Sequence, residues 1–197
     1  MAWTVTSRGT GTGSYVTSAS IGDTFLPAED DLVILHINTF GAASFTTVTG
    51  FGSTFIEIDV LTSGYNQSIH VWAARIGASP TSTDISVTMP SRSFTAMVYQ
   101  VAGASTTGTV NSLFVQKQTV SSYNPSSPLA IPSLAAYASA TNLSLTMGYG
   151  GVTLTPQTGW TQINYYSPAL ASYYDGEDVT HTIEGTGFGY RWIFGIG

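Results

Sequence analysis

The chain lacks cysteine entirely, and its 197 residues include a single lysine, Lys117, and only four arginines. Without cysteine the fold is held without disulfides, and the redox compartment is left open. The shortage of cations, with a net charge of −6, excludes sequence-independent nucleic-acid binding, which needs Lys/Arg clusters to neutralise phosphates. No apolar run approaches the ~20 residues of a membrane helix. Met1-Ala2-Trp3-Thr4-Val5-Thr6-Ser7-Arg8 lacks a charged n-region and an apolar h-region, so it does not read as a Sec signal peptide. No G-x-S-x-G or Walker motif occurs, and there is no thiol nucleophile. The expectation is a protein that is not an enzyme and carries no cofactor.

Charge of either sign is scarce as well. Charged residues make up 8% of the chain, against about 25% in ordinary globular proteins. The surface must therefore consist mostly of Ser, Thr, Asn, Gly and Tyr. That suits a protein packed among other subunits or working outside the cytosol, and it equally suits an ordinary Thr/Ser-rich β domain.

What is present is a series of short apolar segments broken by turns. Leu32-Val33-Ile34-Leu35-His36-Ile37-Asn38 is too short for a typical helix and rich in β-branched residues, so it reads as a strand. Residues 54–60, 68–74, 84–89 and 94–101 read as further strands, and Gly50-Phe51-Gly52 as a turn. The 94–101 segment is apolar on both faces except for Thr95 and Gln100. Residues 109–116 and 129–134 are further expected strands, 121–128 a loop and 135–140 a brief helical turn. The central order then recurs, as a pattern and not as identity, in residues 143–147, 158–163, 169–174, 178–183 and 190–196.

Two copies of a strand group unable to bury its own apolar face predict two halves of one sandwich. The expected architecture is all-β: a two-sheet antiparallel jelly-roll sandwich of roughly ten to twelve strands. Residues 1–20 are expected as an N-terminal arm or edge strand, and 21–197 as a single domain.

The order Pro27 … Asp31-Leu32-Val33 … Gly50-Phe51 … Val71-Trp72-Ala73 … Val98-Tyr99-Gln100-Val101-Ala102-Gly103 resembles a jelly-roll β-sandwich domain of tailed-phage virion proteins and bacterial surface proteins. In that group a Pro-x-Gly-Asp-Leu-Leu turn opens the first core strand. Here the turn reads Pro27-Ala28-Glu29-Asp30-Asp31-Leu32, one residue longer and without glycine. The group's closing Glu-Tyr-Ser-Gly reads Gln100-Val101-Ala102-Gly103. The resemblance implies binding or assembly. Its first implication is a capsid decoration or cement protein on the virion exterior, bridging the major capsid protein and itself as a homotrimer. Its alternative is a tail, fibre or surface module that binds host carbohydrate. Trp3, Val5, Tyr15, Tyr165 and Tyr173 are the expected interface residues: the first three punctuate an N-terminal segment that could lie on a neighbour, and the last two belong to adjacent tyrosine pairs of which one member must leave the core, which suits contacts or sugar stacking.

Other chemistry has simpler readings. His36, His70 and His181 each sit inside an expected strand, and a metal site would require them to converge with carboxylates. Glu29-Asp30-Asp31 and Asp175-Gly176-Glu177-Asp178 could supply calcium oxygens, but neither has EF-hand spacing and strand-opening turns explain both. Gly185-Thr186-Gly187-Phe188-Gly189 resembles a nucleotide loop but precedes a strand, so it reads as a hairpin. Asn66-Gln67-Ser68 and Asn142-Leu143-Ser144 match glycosylation sequons.

Overall fold

The computed structural model describes residues 4–41, 45, 47–62, 67–122, 143–150, 154–155, 161–166, 170–175, 184–185 and 189–196. They fall into two compact units, Thr4–Val110 and a second built from Asn111–Gly197 with Met1–Trp3. The first unit contains β1 (Thr4–Phe25), β2 (Leu32–Phe40), β3 (Thr47–Gly50), β4 (Ser53–Thr54), β5 (Ile56–Thr62), β6 (Gln67–Arg75) and β7 (Thr83–Ala102). A four-residue helical turn, α1 (Val110–Leu113), follows. The second unit contains β8 (Phe114–Ser122), β9 (Leu143–Gly150), β10 (Leu154–Thr155), β11 (Thr161–Tyr166), β12 (Leu170–Asp175), β13 (Glu184–Gly185) and β14 (Gly189–Ile196).

The first unit is one curled antiparallel sheet, a half-barrel. Its order is β4-β3-β7-β2-β6-β5, with β1 also paired to β7. The central strand, β7, was expected as two strands, 84–89 and 94–101. It is a single 20-residue strand that bends. In its first half the buried residues are Ile85, Val87 and Met89; in its second, Phe94, Ala96 and Val98 are buried on one face and Met97, Tyr99 and Val101 on the other, and it is the first of these two sets that joins the core of the first half. Ile85, Val87 and Met89 are odd-numbered and Phe94, Ala96 and Val98 even, yet all belong to one core cluster with Ile21, Val33, Leu35, Ile37, Val48, Phe51 and Phe55. Since side chains alternate along a strand, parity changes only if the ladder slips. It slips here: between the pairs Gly13–Phe94 and Ser18–Thr88, β7 advances one residue more than β1. The irregularity lies across Pro90-Ser91-Arg92-Ser93 and folds the sheet over its own apolar face.

The curl brings the two halves of β1 close together, and glycine makes room. A Cβ added at Gly11 would lie 3.1 Å from Ile21 Cγ2, and one at Gly13 would lie 2.5 Å from a ring carbon of Phe94.

These observations correct the expected architecture. The jelly-roll sandwich of two opposed sheets is not found. It rested on the idea that the first strand group cannot bury its own apolar face. The bend in β7 does that burial within residues 21–98.

The recurring sequence pattern has a structural counterpart. The second unit's sheet has the order β11-β12-β9-β14-β8, which matches β5-β6-β2-β7-β1 strand for strand. Leu32 pairs with Val101 in the first sheet and Leu143 with Ile196 in the second, and all four are fully buried. The β5–β6 ladder slips by one residue between Glu57 and Asp59; the β11–β12 ladder slips by one between Gln162 and Asn164. The two bulges read Glu57-Ile58-Asp59 and Gln162-Ile163-Asn164. Short strands also correspond: β3 pairs with the first half of β7, and β10 pairs with β13, the strand before β14. The two units are two copies of one topology. Of the expected segments, 129–134, 135–140 and 178–183 lie outside the described residues. Val110–Leu113 is a helical turn, and the strand expected from 109 begins only at Phe114.

The β3–β4 hairpin has Phe51 and Gly52 as its two loop residues, with φ of 58° and 73°. Positive φ at both positions is the type I′ pattern, and it is unfavourable for a bulky residue. Phe51 occupies it because its ring is buried, with its centroid 4.6 Å from that of Phe25. Gly52 is different: an added Cβ would meet nothing closer than Ser79 O at 4.0 Å. Gly52→Ala should therefore cost about 1 kcal/mol, from backbone conformation alone. Phe51→Ala should cost about 3–5 kcal/mol in urea unfolding, although it leaves the turn unchanged. Equal costs would show that the ring contributes nothing to the core.

Candidate functional site

Polar side chains on the curled sheet collect in three places. The first is the turn into β2. Asp30 takes a left-handed φ of 66°, filling a conformation that glycine usually supplies. The buried Asp31 carboxylate accepts from the Ala28 N–H at 2.8 Å and from the Gln100 side-chain amide. Gln100 Oε1 accepts in turn from Arg8 Nε at 2.7 Å, and the Arg8 guanidinium lies 4.7 Å from the Phe25 ring centroid. One chain of contacts thus ties β1, β7 and the entry to β2. A cation over an aromatic face adds roughly 0.5–1 kcal/mol at such a site.

The second place is the β5–β6 edge. Ile37 pairs with His70 and Leu35 with Trp72, so both aromatics share the core face. His70 Nδ1 lies 2.6 Å from Glu57 Oε1. Phe45 meets the His70 ring edge-on at 4.8 Å and packs near Trp72. This cluster staples the bulged edge strand to its neighbour and caps that end of the core.

The third is on the opposite face of β2. His36 pairs with Val71 and Met97, and Asn38 with Ile69 and Thr95. His36 and Asn38 are completely buried. Burial lowers the His36 pKa from 6.5 to about 3, so the imidazole is held neutral.

The structure places the expected site residues apart. Val5 is half-buried in β1 opposite Val101. Tyr15 is 76% exposed at the corner of β1. Tyr165 pairs with Ala171 on the edge strand β11, and Tyr173 with Gln162 and Thr146. Trp3, His181, Asn66, Asn142 and residues 176–178 lie outside the described residues. His36 and His70 are on adjacent strands but on opposite faces, so they do not converge. Asp31 holds the strand-opening turn. Among the described residues no group of three or more His, Cys, Asp or Glu could hold a metal ion, and no helix is long and apolar enough to cross a membrane.

The contacts of Arg8, Glu57 and Phe45 had no signature in the sequence, because each partner is far away along the chain. Gln100 and Thr95 did stand out, as the two polar residues of an apolar segment.

No protein-family model, curated protein or solved structure matches this chain. Nothing therefore ties it to phage virion proteins, and the sandwich on which that expectation rested is not its fold. Neither the capsid decoration role nor its alternative, the tail or surface carbohydrate-binding module, has support in the fold or in any related protein.

His36 gives stability a defined pH dependence. The unfolded imidazole binds a proton near pH 6.5, the folded one only near pH 3. Its contribution is complete above about pH 6.5 and is lost as pH falls towards about 3, at up to about 1.4 kcal/mol per pH unit. Met147 is the register equivalent of His36 in the second copy, so His36→Met should flatten the profile. Urea midpoints measured at about pH 7, 6, 5 and 4.5 test this. A wild-type slope no steeper than that of His36→Met would rule the mechanism out.

Proposed function

We propose that this chain is a structural β protein that acts by association between copies of itself and performs no reaction. The observation that carries the reading is Tyr15. It stands at the bend of β1 with a left-handed φ of 52° and its side chain 76% exposed. Its carbonyl accepts from the Ser91 hydroxyl at 3.0 Å, which holds the corner. Glycine or asparagine would occupy that conformation with less strain. A bulky aromatic held out into solvent at such a position is of use chiefly as a contact.

The balance of polar and apolar groups supports the same reading. Arg8, Asp31, Glu57 and His70 are engaged within the fold. The exposed side chains include Tyr15, Leu26, Phe40 and Val115. With charged residues at 8%, repulsion between copies is weak.

Sedimentation equilibrium tests the proposal. The expected result is a mass above the 20.7 kDa monomer at concentrations up to about 100 μM. Tyr15→Ser should weaken the association by about tenfold or more. A single monomeric species throughout, or association that Tyr15→Ser leaves unchanged, would overturn it.

A further inference from the structure

The segment leaving β7 for α1 is wrapped around one side chain. Arg75, the last residue of β6, donates from one terminal nitrogen to Thr106 O at 3.1 Å and Gly108 O at 3.0 Å. From the other it donates to Ser105 O at 2.7 Å and Thr107 O at 3.1 Å. Four successive carbonyls therefore converge on one guanidinium. In extended chain, successive carbonyls point in alternate directions, so this convergence is imposed. Gly103 and Gly108 bracket the loop with φ of 97° and 80° and supply the reversals. Ser105 and Thr107 add a local contact between their hydroxyls at 3.0 Å.

Aligned carbonyl dipoles repel one another unless a cation sits at their focus. Guanidinium suits the position because it offers five donors in a flat fork, against three on a compact ammonium.

We propose that residues 105–108 form a guanidinium-binding carbonyl nest, and that Arg75, as its built-in occupant, is the latch that orders the segment leaving β7. Without it that segment opens while the sheets remain.

Limited proteolysis of the full chain, with cleavage sites mapped by mass spectrometry, tests this. Wild type should resist cutting in residues 103–110. Arg75→Ala should be cut there about tenfold faster, with its far-UV circular dichroism unchanged. Arg75→Lys should behave like Arg75→Ala. Guanidinium chloride at about 50 mM, too dilute to unfold the chain, should restore resistance to Arg75→Ala, whereas equimolar sodium chloride should not. Ready cleavage of wild type in 103–110 would overturn the proposal whether or not the variants fold. So would lysine serving as well as arginine, or no rescue by guanidinium.

Discussion

The bend in β7 is the constraint from which the rest of the first unit follows. One strand serves two parts of a sheet, with β3 alongside its first half, β2 alongside its second and β1 along both. A flat sheet of this composition would expose a broad apolar face. Folding at Pro90–Ser93 turns that face onto itself, and the parity shift lets Ile85, Val87 and Met89 meet Phe94, Ala96 and Val98 in one cluster. The close approach then requires small residues on β1, which explains Gly11 and Gly13 in a strand that propensity alone would disfavour. Phe51 follows from the same closure: the hairpin accepts an unfavourable φ because its ring completes the packing.

The duplication separates framework from specialisation. Strand order, the buried pairs Leu32–Val101 and Leu143–Ile196, and the edge bulge with its central isoleucine are common to both copies. Charge is not. Glu57 and Asp59 of the first bulge correspond to Gln162 and Asn164 in the second, amides of the same shape. His70 corresponds to Ala171 by the same register. The bulge itself therefore does not depend on the ion pair; the first copy has added a carboxylate–imidazole contact to a backbone feature that stands without it. His36 is likewise not shared, since the register-equivalent position of the second copy is Met147.

Much of the secondary structure was legible in the sequence. Strands β2, β5 and β6 follow from short β-branched runs bounded by turn residues, and the repeat shows as a recurring order of segments. The merging of 84–89 with 94–101 into β7 was not legible. Pro90, Ser91 and Ser93 look like a break, yet Ser93 pairs with Phe40 of β2, and the pairs Val16–Arg92 and Ser18–Thr88 with β1 carry the strand across Pro90 and Ser91. The sites were less legible still. Asp31 reads as a turn residue, which it is, but its link through Gln100 to Arg8 spans 69 and then 92 positions. Such contacts have no sequence period.

Composition and alternation by themselves determined an all-β chain without disulfides, built as two related strand groups, because side-chain period and turn chemistry are local properties. Only the tertiary structure decided how the first group buries its apolar face. That depends on a register slip in one ladder, and a net slip of one residue leaves the local composition of each strand unchanged while redirecting every side chain beyond it. The same holds for Arg75 and the four carbonyls it gathers: the residue types are ordinary, and their convergence exists only once β6 and the end of β7 lie side by side with β2 between them.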